Sequence, residues 1–173
     1  VSNGIRTTLV DFAPAKVNLT LRVGQRRPDG YHDLESLVVF ADLGDGLRLR
    51  TGEPLALSVA GETAAESGAI ENNLVLKAAR ALMAEIPDLH VGHFELDKCL
   101  PVAAGLGGGS SDAAAALRLL AKANPGKNLF GDIRMMMAAR KTGADVPVCL
   151  EPKPRIMRGI GDRLSAPLHL PKL

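Results

Sequence analysis

Aromatic side chains are nearly missing from this sequence: 173 residues include no Trp, one Tyr and four Phe. Any core must therefore be aliphatic, built from Leu, Val, Ile, Ala and Met. Cysteine occurs only twice, as Cys99 and Cys149, at a spacing that matches no metal motif. Two such thiols are expected to be small core residues in a reducing compartment. No apolar run is long enough to cross a bilayer. Val1 to Thr8 lacks the charged-then-apolar order of a signal peptide, so the expected location is the cytoplasm. Charge of one sign is lacking too, since 21 basic residues face 19 acidic ones for a net +2. With no dense Lys/Arg stripe, binding to nucleic acid or membrane through bulk electrostatics is not expected. Internal repeats and low-complexity stretches are absent. What is present is a hydrophobic fraction of 46%, enough for the core of one ordinary domain, with or without a fragment of another.

The first third reads as β structure. Leu9 to Arg22 predicts two extended pieces around a kink at Ala13-Pro14-Ala15. In the second piece Val17, Leu19, Leu21 and Val23 alternate with Asn18, Thr20 and Arg22, the pattern of a half-buried strand. That alternation places Lys16, Asn18 and Thr20 on one polar face. A turn follows at Arg26-Arg27-Pro28-Asp29-Gly30. Leu34 to Ala41, Leu47 to Arg50 and Leu55 to Val59 are further strands separated by Gly/Asp turns. Asn72 or Asn73 can cap a helix to about Glu85, and Phe94 to Leu96 is a short strand. Ser111 and Asp112 open a second helix over Ala113 to about Ala123, and a third spans Ile133 to Lys141. Ala144 to Leu150 is expected to be extended, with Pro147 favouring a loop or edge. The last strong element ends near Gly161.

The most specific feature is Leu100-Pro-Val-Ala-Ala-Gly-Leu-Gly-Gly-Gly-Ser-Ser-Asp112. Gly105, Gly107, Gly108 and Gly109 stand directly before a helix. Glycines let the backbone approach a bulky anion, and the helix start offers unpaired N–H groups and a positive dipole end. Phosphate is the natural ligand. A P-loop would need a Lys after the glycines, and the dinucleotide fingerprint fails because Ser110 stands where its last glycine belongs. A plain flexible linker is the bland alternative, but Pro-Val-Ala-Ala and an Ala/Leu helix flank the loop.

The string Pro-x-x-x-Gly-Leu-Gly-x-Gly-Ser-Ser resembles the phosphate loop of the GHMP kinases. Three other stretches narrow the resemblance to the 4-diphosphocytidyl-2-C-methyl-D-erythritol kinase family. They are Ala13-Pro-Ala-Lys-Val-Asn-Leu-Thr-Leu21, Asp29-Gly-Tyr-His-Asp-Leu-Glu-Ser36 and Gly143-Ala-Asp-Val-Pro-Val148. Arg158-Gly-Ile-Gly-Asp162 is also similar, and the order and spacing hold from about Ala13 to Gly161. The resemblance implies an α+β fold, a two-layer, ribosomal-protein-type N-terminal kinase domain over 1–161. It implies that 162–173 begin a linker toward a second, C-terminal domain.

The implied substrates are ATP, with Mg²⁺, and a small-molecule alcohol. Asp145 would be the general base and Lys16 the active-site cation; alone, they would read as a turn residue and a solvated charge. Pro101, Gly105, Leu106, Gly107, Gly108, Gly109, Ser110 and Ser111 would hold the ATP phosphates. Asn73 and Lys98 would reach its adenine or ribose, although Asn73 also reads as a helix cap and Lys98 as a solvated strand end. Asn18, Tyr31 and His32 would bind the alcohol substrate, with Tyr31 and His32 on the cytidine; the bland reading is a hairpin-turn pair. Ser111 could help hold Mg²⁺, no carboxylate set with metal spacing is readable, and Asp112 is expected to be structural. The alternatives are a homoserine or mevalonate type of GHMP kinase, a non-catalytic nucleotide-binding module, and a structural domain.

Overall fold

The computed structural model describes residues 6–26, 30, 32–102 and 105–170. Its first two strands dominate it. β1 (Thr8–Arg26) and β2 (His32–Thr51) form one long antiparallel ribbon. The expected kink at Ala13-Pro14-Ala15 does not break β1. It is absorbed as a register shift between Pro14 and Lys16, the ordinary way for a ladder to pass a Pro that cannot donate. The two strands expected over 34–41 and 47–50 are likewise one, because Gly44-Asp45-Gly46 stays paired with Ala13 and its neighbours instead of turning.

β1 runs along one edge of β2. On the other edge, β4 (Gly92–Asp97) pairs with the C-terminal half of β2 and β5 (Arg155–Gly159) with the N-terminal half. β3 (Ala56–Ala60) lies parallel to β4, and β6 (Arg163–Leu164) closes the β5 edge. The β3–β4 pair is parallel because α1 (Leu74–Glu85) lies between the two strands in the chain and serves as the crossover. Beyond Gly161 the chain stays on the sheet, with Ser165 N–H donating to the Ile156 carbonyl and Leu168 N–H to that of Pro154.

The helices make the second layer. α2 (Gly108–Ala123) is its centre, buried on all sides from Ser111 to Ala121. Its alanines explain that position, since small side chains let β1, α1 and the other helices approach closely from every direction. α3 (Ile133–Thr142) covers the helix expected over Ile133 to Lys141 and is capped at Gly143. The segment expected to be extended is instead a one-turn helix, α4 (Val146–Cys149). Pro147 suits it because a first-turn residue needs no helical N–H partner. The core is aliphatic around Phe94, with Leu47, Leu49, Leu82, Leu96, Leu117 and Leu120 fully enclosed.

Two expectations about burial fail. Leu19, Leu21 and Val23 are 47–59% exposed, because only the inner part of β1, around Ala13 to Lys16, is buried. Cys149 is a core thiol, but Cys99 is exposed.

Candidate active site

The glycine loop begins where β4 ends, and a buried carboxylate from β2 determines its course. Asp45 is fully enclosed; its Oδ1 accepts the N–H groups of Cys99 (2.7 Å) and Leu100 (2.8 Å), and its Oδ2 faces the Lys98 ammonium at 2.5 Å. Lys98 also reaches Asp112 Oδ2, in the first part of α2, at 3.0 Å. Lys98 is thus a buried centre of charge and not the solvated strand end of the bland reading. Two carboxylates share one ammonium. Burial pushes the Asp112 carboxyl up to about 7, with the Lys98 charge opposing and the Asp45 charge adding to the rise. For Lys98 burial acts downward, but the two carboxylates outweigh it and its pKa is raised. Asp45 escaped the sequence reading because Gly-Asp-Gly between two strand-like runs looks like a turn.

Beside this triad lies a cleft of about 330 Å³. Pro101, Gly105, Leu106, Gly107, Gly108, Gly109, Ser110, Asn73 and Lys98 line it, as do Ser67, Asn72 and Asp112. Nine of the ten residues expected to meet ATP are therefore gathered around one space. Ser111 is the exception: it is buried, and its hydroxyl has no hydrogen-bond partner. Asn73 keeps both of its readings, since it lines the cleft while its Oδ1 accepts from Val75 N–H at 2.9 Å and caps α1.

The loop turns into α2 through Gly107, whose φ of +62° is the left-handed conformation that glycine adopts without strain. A Cβ there would lie 2.9 Å from both Cβ and Cε of Lys16. One at Gly108 would lie 3.3 Å from Lys98 Nζ. The helix starts at Gly108, five residues before the Ala113 expected from the sequence, and its first residues lie between two lysine side chains. Its first N–H groups have no helical partner, which is what a phosphate requires.

On the Lys16 side of Gly107 stands the second half of the site. Lys16 N–H donates to the Leu106 carbonyl at 2.8 Å, which docks β1 directly on the loop. Its ammonium, almost wholly enclosed, lies 3.0 Å from Asp145 Oδ2 and 3.4 Å from Asn18 Oδ1. Asp145, at the N-terminus of α4, keeps 39% of its side chain open to solvent. Lys16, Asn18 and Asp145 thus form one polar cluster beside the phosphate-type loop. His32 is not part of it. It is exposed on the outer end of the ribbon, with Nδ1 3.1 Å from the Gly24 carbonyl. Phe40, the partner of Lys16, stands eight positions further along β2. At the usual rise that is at most about 26 Å, so one ligand touching both ends would be long. Tyr31 lies outside the described residues. Among the described residues no group of three or more His, Cys, Asp or Glu could hold a metal ion, and no helix is long and apolar enough to cross a membrane.

The family model for the GHMP kinases N terminal domain matches residues 73–152, from the α1 cap through the glycine loop to α4. Over those residues the chain carries a GHMP kinase N-terminal domain. The chain is 62% identical over 161 residues to the 4-diphosphocytidyl-2-C-methyl-D-erythritol kinase of Xanthobacter autotrophicus, covering 93% of this chain and 54% of that protein. It is 58% identical to the protein of the same name from Rhodopseudomonas palustris, covering all of this chain and 57% of the relative. Among solved structures it resembles the crystal structure of 4-(cytidine 5'-diphospho)-2C-methyl-D-erythritol kinase. The TM-score there is 0.71 at 38% identity, covering 94% of this chain and 56% of the other. The chain spans about half the length of the curated relatives it matches.

Proposed function

We propose that the protein at its natural length transfers the γ-phosphoryl group of ATP to the 2-hydroxyl of 4-diphosphocytidyl-2-C-methyl-D-erythritol. The product is the 2-phosphate, an intermediate of the non-mevalonate route to isoprenoid precursors. The observation that carries this reading is the contact of two half-sites at Gly107. An anion-binding helix start lies on one side, and the Lys16–Asp145 pair lies on the other.

The glycine N–H groups and the N-terminus of α2 hold the triphosphate, while Asn73 and Lys98 border the remainder of the nucleotide. Asp145 accepts the proton of the attacking hydroxyl. That oxygen forms its bond to the γ-phosphorus as the bond from phosphorus to the β–γ bridging oxygen breaks, and ADP leaves with that electron pair. Lys16, anchored by its backbone to the loop and by its ammonium to Asp145, supplies positive charge next to the transferring group. Catalysis of this kind is positioning and charge stabilisation. The orphaned, buried hydroxyl of Ser111 beside the loop suits a hard cation that takes oxygen ligands, and Ser111 would hold Mg²⁺ together with the phosphates. Bound Mg²⁺ supplies neutralisation of phosphate charge.

Asn18 and His32, with Tyr31, bind the alcohol substrate along the ribbon. Its cytidine diphosphate portion is the long element that the separation of His32 from Lys16 calls for. ADP release followed with this substrate, homoserine and mevalonate in parallel tests the assignment. Turnover restricted to the cytidine compound is expected; turnover with either of the others in its place would overturn it.

A further inference from the structure

Lys16 and Asp145 come from opposite ends of the domain, and both segments that carry them are tied to one buried guanidinium. Arg118, in the middle of α2, is only 8% exposed. Its Nη1 donates to the Cys149 carbonyl at 2.7 Å, the last residue of the single turn α4 that Asp145 opens. Its Nη2 donates to the Phe12 carbonyl at 2.9 Å, four positions before Lys16 on β1. Its Nε meets Asp11 Oδ2 at 3.1 Å, also on β1. A planar guanidinium offers donors in a fixed fork, so these bonds set the distance and the angle between β1 and α4 together.

We infer that Arg118 is a positioning residue for phosphoryl transfer, holding α4 against β1 so that Asp145 and Lys16 meet at the glycine loop. α4 is one turn, so a shift at Cys149 is carried to Asp145 with little to absorb it. The nucleotide cleft is lined by the α1 cap, Lys98, the loop and the first residues of α2, and no side-chain hydrogen bond of Arg118 reaches any of its lining residues. Loss of the guanidinium should therefore misplace the base and leave ATP binding in place. A displacement of about 1 Å costs about a hundredfold in rate.

This inference rests on Asp145 being the base, and the experiment keeps the two apart. In the full-length protein, kcat per nucleotide-binding site and KM for ATP are measured for wild type, Arg118→Lys, Asp11→Asn, Asp145→Asn and the double variant Arg118→Lys/Asp145→Asn. Lysine keeps the charge beside Asp11 but cannot bond to Asp11, Phe12 and Cys149 at once. The expected result for Arg118→Lys is a fall in kcat of about ten- to a hundredfold with KM for ATP within about threefold. Asp11→Asn, which loosens the same clamp more gently, should move kcat in the same direction, and it decides the question if Arg118→Lys does not fold. Adding Arg118→Lys to Asp145→Asn should cause little further loss, since the base it positions is already gone. A purely structural role would lower the number of binding sites but leave kcat per site unchanged. A kcat per site within twofold of wild type in Arg118→Lys or, failing that, Asp11→Asn, with Asp145→Asn inactive, overturns the inference. So does full additivity in the double variant. An active Asp145→Asn would instead overturn the assignment of the base.

Discussion

The Lys98 ammonium and the Asp45 carboxylate lie 2.5 Å apart, although 53 positions separate them in the chain. Asp45 comes from the middle of β2, and Lys98 stands just past the end of β4. Asp45 also accepts two N–H groups of the segment that leads into the glycine loop. One enclosed side chain therefore joins the central strand to the anion-binding loop. Replacing it leaves a buried ammonium with a single partner and two amides with none. Asp45→Ala should destabilise the domain by about 3–5 kcal/mol, read as the shift in the urea midpoint. A shift below about 1 kcal/mol would show that the pair carries no such weight.

Asp112 gives the same triad a pH dependence. Its carboxyl is raised from 3.8 to about 7 in the folded protein, chiefly by burial. Between those values the native state binds the proton that the unfolded chain has released, so stability falls as pH rises from about 4 to about 7. Asp112→Asn removes the group that titrates. Comparing urea midpoints of variant and wild type near pH 5 and near pH 8, the difference should move in the variant's favour at the higher pH. An unchanged difference would contradict the assignment.

At Gly107 the left-handed backbone and the Lys16 side chain leave no room for a Cβ. A left-handed non-glycine residue costs roughly 1–2 kcal/mol, and here the lysine stem must move as well. Gly107→Ala should weaken binding of a fluorescent ATP analogue by at least about tenfold. Unchanged affinity would mean that the loop does not need this conformation to hold phosphate.

Much of this architecture is legible in the residues themselves. Asn73 marks the start of α1 as a cap should, Gly143 marks the end of α3, and the glycine run announces an anion-binding turn before a helix. What escaped depends on long-range pairing. Gly44-Asp45-Gly46 has the composition of a turn, but pairing with β1 and β4 keeps it in the ladder. The alternation of Leu19, Leu21 and Val23 has the period of a half-buried strand, yet periodicity cannot tell how far the helical layer reaches along a ribbon. Pro147 counts against an inner strand and equally allows the first turn of a helix, and it is the latter that presents Asp145 to Lys16. Nothing in the local sequence of Arg118 shows that its guanidinium bridges β1 and α4, because its partners are about 106 positions upstream and 31 downstream.

The role of Asp145 in phosphoryl transfer is measured by the rate of ADP release by the full-length protein with ATP, Mg²⁺ and 4-diphosphocytidyl-2-C-methyl-D-erythritol, beside Asp145→Asn. Turnover is expected to require the cytidine substrate and to fall in the variant by at least about a hundredfold, the scale of a lost general base, with nucleotide affinity unchanged. Substrate-dependent turnover that survives in Asp145→Asn would contradict that role.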